Sequence, residues 1–211
     1  MASGKRIYYP TMGFDKIIEI VGVVVGLVYL YLEYKASIHL WVVSIIMPAI
    51  YLYVFFNAGL YADVAINIYY LLIALYGWAA WKYRFSLSGR KVQDGQTRQE
   101  LKISHAEGKD WAKATVGYLV AQFAIAWALD RFTDSNVVWA DSFISALSIV
   151  GMWMLARKKI EQWWIWLVVD VASVALFCYK ELYFTAGLYL LYAVIAVFGY
   201  RKWKRLMQQN F

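Results

Sequence analysis

Residues 60–81 read LYADVAINIYYLLIALYGWAAW, and residues 182–203 read LYFTAGLYLLYAVIAVFGYRKW. At an offset of 122 residues Leu60, Tyr61, Tyr70, Ile73, Ala74, Gly77 and Trp81 fall on Leu182, Tyr183, Tyr192, Ile195, Ala196, Gly199 and Trp203, 7 identities in 22 positions. Chance matching in so biased a composition gives about one or two. The same offset carries Trp41 onto Trp163 and Glu19 onto Asp141. One unit is therefore written twice, and both copies are strongly apolar. Two like halves in an apolar chain imply a transporter whose substrate sits between them.

Composition places the chain in a membrane. Apolar residues make up 63% and charged residues 17%, where a soluble domain has about 45–50% and roughly a quarter. The 11 Trp and 18 Tyr are residue types that gather at bilayer interfaces and in ligand pockets. Cys178 is the one cysteine, which excludes an internal disulfide and a thiolate metal cluster. His39 and His105 do not make a metal site either, so no metal and no cofactor are expected. The net charge of +7 is explained by basic residues crowding cytoplasmic loops, without a nucleic-acid partner. Lys5 and Arg6 lead into Tyr8, Tyr9 and Pro10 rather than an apolar core with a small-residue cleavage site. The first membrane helix is expected to direct insertion itself.

A spanning helix needs about 20 largely apolar residues. Seven stretches qualify: 16–34, 38–57, 61–83, 111–130, 136–156, 160–179 and 182–200. The polar stretch 84–110 between the third and fourth has too few apolar residues to fold alone and reads as a solvated loop, with or without a surface helix. With the N-terminus outside, the cytoplasmic side carries sixteen Lys and Arg and the outer side five. That asymmetry puts the C-terminus and the long loop in the cytoplasm. Helices one to three (16–83) match helices five to seven (136–200), and helix four (111–130) is a linker. An offset of four helices keeps both copies in one orientation, a parallel repeat. The expectation is a single all-α transmembrane domain over 1–211, arranged three-plus-one-plus-three.

The candidate site lies on helix six. Trp163, Trp166, Asp170, Ser173 and Phe177 follow spacings of three or four and stack along one face. Asp170 is about ten residues from either end, where a carboxylate costs several kcal/mol unless it meets water, a partner or a ligand. Two indoles beside an anion suit a flat cationic aromatic ligand. The plainer alternatives are an interfacial belt for Trp163 and Trp164 and a structural hydrogen bond for Asp170. The belt leaves Trp166 and Asp170 unexplained.

Asp63, Asn67 and Tyr70 share a face of helix three. Asp63 is near its outer end, at an entrance or simply solvated, and Asn67 either bridges helices or reads a polar ligand. Helix seven matches with Tyr183 and Tyr192, and sets Tyr189 at the place equivalent to Asn67. Tyr70, Tyr189 and Tyr192 can bind a sugar or simply pack. Glu19 and Asp141, equivalent positions near the outer surface, serve either an entrance or a structural bond. Pro48 stands where helix six has Asp170, and a proline there frees a carbonyl and offers a hinge. Ser145 and Ser148 of helix five line the path or allow close packing. Nothing in the chain resembles a phosphate-binding Gly-rich loop, a His–carboxylate cluster or a nucleophile with its base, so an ATP-driven pump and an enzyme are both disfavoured.

EQWWIWLVVD (Glu161–Asp170) fits a Trp-x-x-Trp-x-x-x-Asn/Asp pattern, and YKELY (Tyr179–Tyr183) and GYRKW (Gly199–Trp203) follow it; YGWAAW (Tyr76–Trp81) matches in the first half. Together these closely resemble the PnuC family of vitamin transporters over nearly the whole chain, outside the long loop and the extreme N-terminus. The resemblance implies a seven-helix fold similar to the SWEET sugar transporters, in the inner membrane, with facilitated diffusion through a central site. It also implies trapping of the substrate by a cytoplasmic kinase, and it places Trp163, Trp166 and Asp170 in the substrate motif. Nicotinamide riboside, a pyridinium cation bearing a ribose, agrees with the residues read above. Thiamine is likewise a cationic aromatic, and neutral riboflavin fits an acidic centre less well. A homo-oligomer is compatible with the chain. The competing classes are a receptor or scaffold that uses the basic loop 84–110 to bind a partner, and an intramembrane enzyme.

Overall fold

The structure, a computed structural model, describes residues 24–57, 61–83, 101–133 and 136–209. It is all-helical apart from short connections. The helices are α1 (Val24–Tyr34), α2 (Leu40–Asn57), α3 (Tyr61–Tyr83), α4 (Gly108–Phe132), α5 (Val138–Ala156), α6 (Gln162–Tyr179) and α7 (Tyr183–Gln209). By length and apolarity α4, α5, α6 and α7 each suffice to cross a membrane. Within the halves α2 packs on α3 and α6 on α7; α5 packs on α6 and α4, and across the halves on α3.

The repeat inferred from the sequence is carried into three-dimensional contacts. Trp41 at the start of α2 covers Gly77 of α3, and Trp163 at the start of α6 covers Gly199 of α7, so close that a Cβ on either glycine would overlap the indole. Trp41 meets Trp81 edge-on at 5.6 Å and 86°, and Trp163 meets Trp203 edge-on at 5.7 Å and 86°. Then the halves exchange bonds. Trp81 Nε1 donates to the Leu155 carbonyl at 3.3 Å and Trp203 Nε1 to the Glu33 carbonyl at 2.9 Å, and Glu33 and Leu155 are themselves 122 apart. Reciprocal contacts of this kind define a two-fold relation. Trp81 and Trp203 face each other at 6.3 Å, so the pseudo-axis passes between them.

The turns repeat as well. After α1, Ala36 has φ 51° and the amides of Ala36 and Ser37 reach the carbonyls of Glu33 and Leu32. After α5, Lys158 has φ 50° and the amides of Lys158 and Lys159 reach Leu155 and Met154. Both are Schellman endings, which satisfy the last carbonyls of a helix that reverses at once into its neighbour. Trp203→Phe keeps an aromatic ring but removes the indole N–H, leaving the Glu33 carbonyl only the Ala36 amide. A loss of about 0.5–1.5 kcal/mol is expected from that bond, read as a lower melting temperature in detergent. Trp81→Phe is expected to lose somewhat more, because the Lys158 ammonium also sits 4.2 Å over that ring and prefers an indole.

Two boundaries differ from the sequence reading. α7 runs to Gln209 rather than stopping near 200, because Trp203, fully buried, anchors its basic extension. Residues 101–107 are neither a solvated loop nor a surface helix; they form an extended strap on the α5–α6 turn. Ser104 and Lys159 pair in parallel, with Ser104 N donating to Lys158 O and Ile160 N to Ser104 O, both at 3.1 Å. Glu161 accepts from His105 Nδ1 at 2.7 Å and Ala106 N at 2.8 Å. Asp110, buried in the first turn of α4, meets Lys159 at 3.1 Å and Arg157 at 3.6 Å. These partners come from the far side of two helices, which is why polarity along the sequence suggested solvent. Residues 84–100 lie outside the described residues.

Candidate functional site

Between the halves lies a cavity of about 450 Å³, bounded by α1, α2, α3, α5, α6 and α7. That volume suits a single small ligand. Six of the seven residues selected from the sequence as substrate-binding line it: Trp163, Trp166 and Asp170 from α6, Tyr70 from α3, and Tyr189 and Tyr192 from α7. Asn67, buried in α3, is not among the lining residues. Pro48 and Ser148 line the cavity; Ser145 does not.

The six do different things there. Trp163 is 2% exposed, held between Gly199 and Trp203, so only part of its ring closes the cavity. Trp166 is half-buried, rests against Gly151 of α5, and has no partner for its buried Nε1. Asp170 is buried one helical turn beyond it. On α7, Tyr189 stacks on Phe177 at 5.1 Å and 29°, and meets Tyr192 at 5.6 Å; Tyr192 reaches across to the backbone of Gly26 in α1. An aromatic wall thus surrounds a carboxylate, and the described lining residues include no Lys, Arg or His.

The candidate entrance residues fall elsewhere. Asp141, in the first turn of α5, pairs with Lys180 of the α6–α7 turn at 3.4 Å, a link between helices. Asp63 lies in the first turn of α3, and its side chain, like the whole of Glu19, is outside the described residues. Pro48 stands inside α2; lacking an N–H, it leaves the Ser44 carbonyl without its intrahelical donor.

One wall was not anticipated. Gly26, Tyr29 and Glu33 of α1 also line the cavity. Tyr29 Oη donates to Met152 Sδ at 3.8 Å. Glu33 is 1% exposed and its Oε1 has no hydrogen-bond partner. Their spacing of three and four puts them on one helix face, a signal present in the sequence, but Glu33 stands beside Tyr34 and Lys35 at a helix end, where a carboxylate is ordinarily wetted.

A sequence profile described as nicotinamide mononucleotide transporter matches residues 16–205. The riboflavin/roseoflavin transporter RibM of Streptomyces davaonensis is 27% identical over 186 residues, spanning 88% of this chain and 83% of RibM. The nicotinamide riboside transporter PnuC of Escherichia coli is 26% identical over 211 residues, spanning 88% of this chain and 84% of its own. A crystal structure of the vitamin B3 transporter PnuC superposes with a TM-score of 0.65 at 20% identity, over 94% of this chain and 89% of that one, which establishes a common fold.

Proposed function

This chain belongs to the nicotinamide mononucleotide transporter family and is a multi-pass membrane transporter rather than an enzyme; we propose that it carries a small cationic aromatic vitamin, nicotinamide riboside first among them. The observation that supports this most is Asp170, a carboxylate buried mid-helix in an aromatic cavity whose described walls hold no basic residue. A bare carboxylate at that depth is costly, and a bound cation supplies the counter-charge while Trp166 offers its ring face. Tyr70, Tyr189 and Tyr192 present hydroxyls suited to a ribose.

Thiamine meets the same demands and is the second reading. Riboflavin, named for RibM, is neutral and leaves the acid without a counter-ion. The carrier works by facilitated diffusion across the inner membrane, N-terminus outside, with a cytoplasmic kinase trapping the substrate. The two-fold frame supports this, since two like halves can rock about a site between them. In proteoliposomes, net uptake of labelled nicotinamide riboside is expected to persist when a proton ionophore is added. Uptake that collapses with the proton gradient contradicts facilitated diffusion, and absence of any uptake of either cation contradicts the carrier.

A further inference from the structure

The contacts of the two-fold frame are duplicated, yet both carboxylates among the described lining residues of the cavity break it. Asp170 has Pro48 as its mate, and Glu33 has Leu155. The backbone at Glu33 and Leu155 does the same work, each carbonyl taking an indole N–H from the other half. The frame therefore needs the carbonyl and not the side chain, because leucine satisfies the same position in the other copy. What glutamate adds is a carboxylate, 1% exposed, facing the cavity with Oε1 unpartnered. Tyr29, one turn earlier on the same face, sets its hydroxyl 3.8 Å from Met152 Sδ and beside the same carboxyl. Gln162 and Tyr29 are the polar side chains beside this carboxyl; the buried oxygen left without a partner is a standing cost.

We propose that Glu33 is a specificity-determining contact that accepts a hydrogen bond from an N–H of the bound vitamin. This rests on the carrier reading above and narrows it. Glu33 lies in the last turn of α1 and Asp170 in the middle of α6, so the two acids address different parts of one ligand. Asp170 faces the ring charge. Glu33 takes the donor at the other end, the carboxamide of nicotinamide riboside or the amino group of thiamine's pyrimidine. An ionised carboxylate only accepts, so a ligand presenting an acceptor or an anion there is rejected. The substrate class is an aromatic cation that also carries an N–H donor.

Calorimetric titration of the wild type and of Glu33→Gln with nicotinamide riboside, nicotinic acid riboside and thiamine tests this. The wild type is expected to bind nicotinamide riboside about tenfold or more tightly than nicotinic acid riboside, whose carboxylate would meet Glu33. Glu33→Gln is expected to weaken the cations about tenfold and to close the gap between the two ribosides, whereas Glu33→Asp, which keeps the charge, retains the discrimination. Equal affinity of the wild type for both ribosides overturns the proposal even if Glu33→Gln does not fold. So does an unchanged cation affinity in Glu33→Gln, or an equal loss in the Gln and Asp variants, which marks a packing role. A wild type that binds none of the three removes the carrier reading itself, before any variant is made.

Discussion

Gly199→Ala is expected to lower the melting temperature of the solubilised protein sharply, and Gly77→Ala to do the same in the other half. In each case a new methyl would overlap the six-membered ring of an indole, Trp163 over Gly199 and Trp41 over Gly77. Both indoles are buried, the first edge-on to Trp203 and the second to Trp81, so neither can swing away. Overpacking a dense core costs about 1–3 kcal/mol, occasionally more. The two sites are separate copies, so the double variant is expected to lose roughly the sum. Gly117→Ala, in α4 with open space around it, is the control, expected to be neutral or stabilising by about 0.5–1 kcal/mol. A Gly199→Ala protein that melts like the wild type would show that the Trp–Gly contact is not what joins α6 to α7.

Trp166→Ala is expected to weaken substrate binding by about 1–3 kcal/mol, since a desolvated cation–π contact is worth around 2. Trp166 is the indole that faces the cavity without being locked into the frame. Trp164, two residues away, makes the comparison informative. It is 49% exposed and packs on Tyr200 at 5.0 Å, outside the central cavity. Trp164→Ala is expected to leave affinity unchanged, as an interfacial ring should. Equal losses in the two variants, or none in Trp166→Ala, would move the site off this face of α6.

Apolar stretch length was enough to read the helices because each spanning segment is a continuous apolar run, and the duplication showed which helices correspond. Gly77, Trp81, Gly199 and Trp203 stood out as identities for a physical reason that only the structure supplies: ring on glycine, and indole N–H across to the opposite half. Trp163 illustrates the limit. It stands in the motif with Trp166 and Asp170 and all three line the cavity, yet its mate Trp41 makes the same glycine contact, so part of what the motif carries is packing. Glu33 was passed over because position along a helix does not reveal whether the helix end is wet, and the Trp203 bond that buries it comes from 170 residues away. The strap at 101–107 was misread for a similar reason: its His105, and Asp110 just after it, pair with Glu161, Arg157 and Lys159, which local polarity cannot show. Asn67, selected for its depth, is buried in α3 without facing the cavity.

The central claim is that the cavity between the two halves holds a cationic aromatic vitamin. Purified protein titrated in a calorimeter with nicotinamide riboside, thiamine and riboflavin, each alone, tests it most directly. Saturable binding of nicotinamide riboside, abolished or strongly weakened by Asp170→Asn, is the expected result; thiamine in its place keeps the site and changes the cargo. Tight binding of neutral riboflavin that is indifferent to Asp170→Asn would contradict the account.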